Sequence, residues 1–388
     1  MRSSAHSSIS SPSPLPSPLP PSLARPVRKL SIAAMSAITA GESAFHVLRS
    51  QVGGHPGVLA SDDNLLIVKS CLENEKKFYE LLALGDERVE RLRRWVPRFY
   101  GTLRLEGKVQ GGDALEAGIV PVPETEIPAE QKDKYSSIFL ILENVSSSFT
   151  QPNIMDIKLG TVLYEEGAPP EKRDRMLATA RETTSLETGI RLTGFQVYDY
   201  TSSTSIITPK SYGKSIKASD LPDGIRRFFP LSSSPPPSSS PSPSSSSSED
   251  QCLGLPKPLL LPVIRGVLKD VCAIRDALAS TELRMVGGSL LIVYEADWDA
   301  ARIALEMAAN RSAETMTNSA GVSESEGELG YNSDVESEEE EAPAYSVRLI
   351  DFAHTRLTPG DGPDEGVLKG VDTTIRLLEG RIQELESL

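Results

Sequence analysis

Apolar positions recur along this chain with two periods, and each predicts its own kind of element. Alternating or unbroken apolar runs predict strands at residues 64–69 (N-L-L-I-V-K), 97–105, 137–142 (S-I-F-L-I-L), 151–160, 194–198, 285–295 and 347–354. A period near 3.6 predicts helices. Residues 73–84 place Glu75, Phe78, Tyr79 and Leu82 at i, i+3, i+4 and i+7, one face of a helix. Residues 259–279 carry Val263, Ile264, Val267, Leu268, Val271, Cys272 and Leu278 at that spacing, with Cys272 read as a small core residue. The last helix, 364–388, has Leu368, Val371, Ile375, Leu378 and Ile382 on one side. Shorter helices are expected after Pro169 and Pro170, which suit a first helical turn, and at 220–229 and 298–309.

Between these elements lie four stretches with no apolar periodicity: 1–36, 106–134, 231–250 and 312–344, rich in Ser, Pro, Gly or acid. Such segments bury too little surface to offset ordering entropy, so they are expected to be a disordered extension and three disordered insertions. Roughly 270 of the 388 residues remain, enough for a two-lobed unit split at about residue 142, with lobes at 43–142 and 143–388.

Composition changes this picture in three ways. The formal charge is −14, but ten acidic residues and no Lys or Arg fall between Ser312 and Ala344, which leaves −4 for the rest. A near-neutral folded part can hold a local basic pocket for an anionic ligand. Three cysteines (Cys71, Cys252, Cys272) without metal-like spacing suit a reducing compartment rather than a disulfide framework or structural metal. No apolar run reaches the roughly 18 residues of a membrane span, so no transmembrane segment is expected. The N-terminus lacks an apolar secretory core; its Arg and Ser with no acid before Glu42 fit a mitochondrial transit peptide or an upstream extension ahead of Met35.

Chemistry concentrates at residues 151–160, Q-P-N-I-M-D-I-K-L-G. Asp156 and Lys158 stand two apart in a strand, so a carboxylate and an ammonium share one face. Upstream, Gln51-Val52-Gly53-Gly54-His55-Pro56-Gly57 allows close backbone approach to phosphates, or is a plain Gly-rich turn. A strand lysine, Lys69, followed by a helix glutamate, Glu75, has the order with which kinase folds hold ATP phosphates. The apolar strand 137–142 opens into Glu143-Asn144-Val145, a polar link suited to adenine. Lys172 and Arg175 are neighbours on a helix surface, and Lys210 and Lys214 flank a glycine; both pairs suit a highly phosphorylated small molecule or, equally, a solvated surface. Ile350-Asp351-Phe352 ends an apolar run with an aspartate, the ligand expected for Mg2+ on ATP.

Pro152, Asp156, Lys158 and Gly160 match the signature P-x-x-x-D-x-K-x-G, and here the chain resembles the inositol polyphosphate kinases. Glu75-x-x-Phe78-Tyr79, the run from Thr183 to Tyr198, Ser289-Leu290-Leu291 and Ile350-Asp351-Phe352 extend the resemblance from about residue 51 to 380. It implies an α+β two-lobed fold, distantly like protein kinases, with ATP between the lobes. It assigns adenine to the Glu143 carbonyl and the Val145 amide, ATP phosphate to Lys69, ribose to Asp156 and Mg2+ to Asp351. It gives Lys158 the transferred phosphoryl group and His354 a substrate contact. Asn144 stands where related sequences usually carry an acid.

The activity implied is ATP-dependent phosphorylation of inositol trisphosphate and tetrakisphosphate towards pentakisphosphate, as in the fungal multikinase branch. The hexakisphosphate kinases and the trisphosphate 3-kinases share the signature and are the alternatives. A phosphoinositide headgroup is an additional candidate substrate, and protein partners could dock on the acidic and Ser/Pro inserts, with an interaction scaffold as the reading from another class. No direct nucleic-acid partner is expected. A nuclear and cytoplasmic location is expected, and Ser333 and Ser337, with acids downstream, read as phosphorylation sites.

Overall fold

In the computed structural model the described residues are 45–48, 52, 57–108, 120–121, 136–232, 252–320 and 342–388. The extension 1–36, most of the predicted insertions, and Ser333 and Ser337 lie outside them.

The first layer is a six-stranded antiparallel sheet built from β1 (Phe45–Val47), β2 (Leu59–Ser61), β3 (Leu66–Ser70), β4 (Phe99–Lys108), β5 (Val120–Pro121) and β6 (Ser136–Glu143). Its order is β1-β2-β3-β6-β4-β5. The strand β3 places Lys69 opposite Leu140 of β6. The helix α1 (Glu73–Ala83) packs beside this sheet, and all four residues of its expected face, Glu75, Phe78, Tyr79 and Leu82, are buried. Burial of the three apolar ones contributes roughly 1.5–3 kcal/mol each before chain entropy is charged against it.

The second layer is a five-stranded antiparallel sheet. It contains β7 (Pro152–Leu159), β8 (Ile190–Asp199), β9 (Thr204–Thr208), β11 (Ser289–Glu295) and β12 (Tyr345–Ile350), in the order β12-β11-β7-β8-β9. A separate two-stranded ribbon pairs β10 (Leu283–Val286) with β13 (His354–Leu357). Around them lie α2 (Pro170–Glu182), α3 (Ser185–Thr188), α4 (Lys210–Ser215), α5 (Leu221–Phe228), α6 (Lys257–Ala279), α7 (Trp298–Ala320) and α8 (Glu365–Ser387). The Asp364 carboxylate caps α8 by accepting from the N–H groups of Gly366 and Val367.

Several boundaries differ from expectation, each for a local reason. The run 285–295 is two strands in two sheets, broken at Gly287, whose φ is +83°. The run 347–354 is likewise broken, at Asp351 with φ +67°. Apolar periodicity does not register either break, because Met285 and Val286 lead apolar into the first and Ile350 and Phe352 flank the second. The helix expected at 298–309 continues to Ala320, so the acidic insertion does not begin at 312. β4 runs to Lys108 and pairs with β5, inside the insertion expected from 106, and Leu231 bridges Leu255. Lys210 to Ser215 forms a short helix; Gly213 is required there because a Cβ would meet the Leu192 carbonyl oxygen at 1.7 Å. Cys272 is partly exposed rather than core.

Candidate active site

The centre of the site joins the two sheets. Lys69 Nζ donates to Glu75 Oε1 at 2.9 Å and to Asp351 Oδ1 at 2.5 Å. Burial alone would lower the Lys69 pKa, but Asp351 and Glu75 outweigh it and hold the ammonium above its ordinary value. Glu75 Oε1 also accepts the Phe352 backbone N–H at 3.2 Å. The Phe352 ring stacks on Phe78 with centroids 4.3 Å apart and meets Tyr79 edge-on. Phe352, the residue after the left-handed Asp351, is thus held from both sides, by a buried carboxylate and by an aromatic pair.

Asp156 and Lys158 share a face of β7, as their spacing requires. A bulge in β8 leaves Thr193 outside the ladder between the pairs Asp156–Gly194 and Ile157–Leu192. The Thr193 hydroxyl instead donates to Asp156 Oδ1 at 2.9 Å. Asp156 is buried, and its pKa is raised by burial first and then by Asp351; Lys158, Ser289 and Thr193 oppose the rise. Lys158 Nζ donates to the Gly287 carbonyl at 3.0 Å. Its pKa is lowered, chiefly by burial, with Arg191 and Lys210 adding to the effect and Asp156 and Asp351 resisting it.

Beside this centre, the hinge follows β6. Asn144 Nδ2 donates to the Asn64 carbonyl at 2.7 Å, and its Oδ1 accepts from Ser146 N and Ser146 Oγ. Glu143 Oε2 accepts the Arg98 backbone N–H at 3.1 Å. Val145 joins a second apolar cluster with Val52, Phe149, Ile154 and Val293. Val52 belongs to the Gly-rich segment, most of which lies outside the described residues. Its carbonyl oxygen stands only 2.1 Å from where a Cβ on Gly194 would be, so β8 and this segment are in close backbone contact. The exit from the hinge is fixed by Glu295, whose carboxylate accepts the N–H groups of Thr150 and Gln151.

A cavity of about 800 Å³ opens between the loop after β7, the β10–β13 ribbon and the start of α8. His354 and Arg173 line it. Of the helix cations expected to bind substrate, Lys172 instead pairs with Glu165 at 2.7 Å, and Arg175 is exposed and outside the cavity lining. His354 Nδ1 donates to the other oxygen of the same Glu165 carboxylate, also at 2.7 Å. Lys210 is exposed on α4 but close enough to perturb Lys158, while Lys214 is exposed one turn further on.

Sequence reasoning passed over Thr193, Ser289, Arg191, Arg173 and Glu165. The dipeptide Thr193-Gly194 inside a strand was a readable bulge signal. Arg191 stands opposite Lys158 in the ladder, and its Nη1 is buried without a hydrogen-bond partner among the described residues. Its signal was a charged residue between the apolar Ile190 and Leu192. Nothing local marked Glu165, because its partners lie 7 and 189 positions away.

A lysine–glutamate pair from an antiparallel sheet and its helix, facing a strand-end aspartate of a second sheet, defines a two-lobed ATP-dependent phosphotransferase of α+β class. The inositol polyphosphate kinase family model matches residues 139–379, and the chain belongs to that family. An inositol polyphosphate multikinase of Saccharomyces cerevisiae is 27% identical over 364 residues, covering 85% of this chain and 97% of the relative. That of Schizosaccharomyces pombe is 34% identical over 179 residues, 46% of this chain and 61% of the relative. Human inositol hexakisphosphate kinase 1 is 26% identical over 265 residues, 65% of this chain and 54% of the relative. A crystal structure of the S. cerevisiae inositol phosphate multikinase with ADP and Mn2+ matches with a TM-score of 0.51 at 25% identity, covering 82% of this chain and 99% of that one.

Proposed function

We propose that this protein is an inositol polyphosphate multikinase, transferring phosphoryl groups from Mg-ATP to inositol trisphosphate and tetrakisphosphate towards pentakisphosphate. The observation that carries this reading is the convergence of Lys69, Glu75, Asp156, Lys158 and Asp351 where the two sheets meet, beside a cavity lined by His354 and Arg173.

The apolar cluster of Val52, Val145, Phe149, Ile154 and Val293 receives adenine, with the Glu143 carbonyl and the Val145 amide reading its edge. Lys69 holds ATP phosphate and Asp156 faces the ribose. The Asp351 side chain fits a divalent cation: its negative charge already raises the pKa of Asp156, so added positive charge is favoured there. No group of three or more His, Cys, Asp or Glu suited to a metal is gathered among the described residues, so such an ion would take its other ligands from ATP and water. Bound there, Mg2+ neutralises charge on the phosphates. Lys158 is placed for the phosphoryl group in flight, and charge that grows on its oxygens is met by an ammonium already partly stripped of water. His354, Lys172, Arg173 and Lys210 are the donors placed to meet substrate phosphates.

The test is incubation of purified protein with Mg-ATP and a panel of inositol phosphates, with products separated by anion exchange. Conversion of trisphosphate through tetrakisphosphate to pentakisphosphate supports the reading. Turnover of hexakisphosphate alone moves the protein to that kinase branch, and a single step on trisphosphate moves it to the 3-kinases. No turnover at all leaves a scaffold with partners on its inserts. The same assay with phosphoinositide vesicles decides the lipid headgroup, and fractionation of cells checks a nuclear and cytoplasmic location.

A further inference from the structure

The cavity beside the catalytic centre holds a carboxylate where an anionic substrate needs cations. Glu165, in the loop after β7, bonds His354 Nδ1 through one oxygen and Lys172 Nζ through the other, each at 2.7 Å. The Lys172 bond in particular, and His354 after it, hold the Glu165 carboxyl below its ordinary pKa, so the group is anionic at neutral pH. Two other cations of the cavity are also engaged. Arg356 pairs with Glu166, and the Arg284 guanidinium donates to the carbonyls of Leu283, Asp361 and Gly362. Arg173 is exposed on the cavity wall.

We propose that Glu165 is a specificity-determining residue: its carboxylate occupies one anion position of the substrate cavity and selects a ring hydroxyl over a ring phosphate there. A hydroxyl can donate to a carboxylate already fixed by two partners, which leaves His354 and Lys172 in place. A phosphate at the same position meets a like charge and must expel the carboxylate from both donors before it can use them. The protein therefore takes inositols of low phosphate number and disfavours the fully phosphorylated ring. Glu165 is about one-third exposed on a loop, so its replacement does not disturb a core. This inference rests on the proposed function, because it assumes an inositol phosphate in this cavity.

The experiment compares the wild type and Glu165→Gln for trisphosphate turnover and for the inhibition constant of inositol hexakisphosphate against that turnover. The expected result is that Glu165→Gln lowers the ratio of the hexakisphosphate inhibition constant to the trisphosphate KM about tenfold, a like-charge contact removed at a partly exposed and therefore screened position. A ratio that stays within about twofold of wild type, with both constants falling together or rising together, overturns the proposal; Glu165 would then be a general gate or a support for His354. Isothermal titration of hexakisphosphate into both proteins gives a readout independent of catalysis, and equal affinities overturn the proposal as well. A wild type that turns over no inositol phosphate is a different failure, that of the proposed function itself.

Discussion

Glu75 accepts the backbone N–H of Phe352 at 3.2 Å with the same Oε1 atom that receives Lys69 Nζ at 2.9 Å. One buried carboxylate thereby sets both Lys69 of the first sheet and the aspartate-bearing loop of the second, 277 positions away. Glu75→Ala leaves the Phe352 amide without its acceptor and Lys69 with Asp351 alone, in a largely dry place. The expected loss is about 3 kcal/mol of stability and at least about a hundredfold in kcat/KM. Glu75→Gln keeps an oxygen for Phe352 and should recover much of the stability but not the activity. Thermal melts beside ATP titrations check this; equal losses in the two variants would mean that the charge has no separate role.

Asp351→Asn should separate chemistry from folding. Asparagine tolerates φ near +67°, keeps an Oδ1 acceptor for Lys69 and relieves repulsion with Asp156. The melting temperature is expected to stay within a few degrees of wild type, while turnover falls about a thousandfold. A large drop in melting temperature would show that the loop is held by the Lys69–Asp351 charge pair rather than by Glu75 and the Phe352 stack.

The depressed pKa of Lys158 fixes the direction of a pH effect. In the proposed role the ammonium form stabilises transfer below that pKa and is lost as the pH rises through it, so the alkaline limb of kcat is expected at lower pH than an ordinary lysine would give. The unfolded chain binds this proton more tightly than the folded one, so the same group makes stability rise, not fall, with pH in that window. Lys158→Arg, charged throughout the range, should keep measurable turnover and move the limb upward. An unmoved limb in a pH profile of kcat would assign it to another group.

Gly194→Ala should weaken ATP binding from a distance. The added Cβ has no room beside the Val52 carbonyl, and the φ of +150° is one that alanine rarely adopts. Either β8 or the Gly-rich segment must move. The expected outcome is a rise in ATP KM of about tenfold or more with a smaller change in inositol phosphate KM. Comparable rises in both would place the disturbance at Asp156 and the bulge instead.

Asn144→Ala removes a donor to Asn64 and an acceptor for Ser146 at a buried hinge. A loss of about 1–3 kcal/mol is expected. Asn144→Asp keeps the Ser146 contacts but loses the donor, so an intermediate melting temperature is expected.

The elements of this fold were legible wherever burial imposes a period on the sequence. The face of α1, the apolar run of β6 and the stripe of α8 could be read directly, because water excludes apolar groups from its own side of every helix and strand. The shared face of Asp156 and Lys158 followed from the pleat, and the order of Gly-rich segment, Lys69, Glu75 and Asp351 marked a phosphotransferase. Tertiary structure decided what no period records. The turns at Gly287 and Asp351 cut continuous apolar runs into strands of different sheets. The bulge at Thr193 turned its hydroxyl onto Asp156, and α4 took shape against Leu192. Above all, the pairing of His354 and Lys172 through Glu165 brings together side chains 189 positions apart, and electrostatic energy depends on distance in space and on burial, not on separation along the chain.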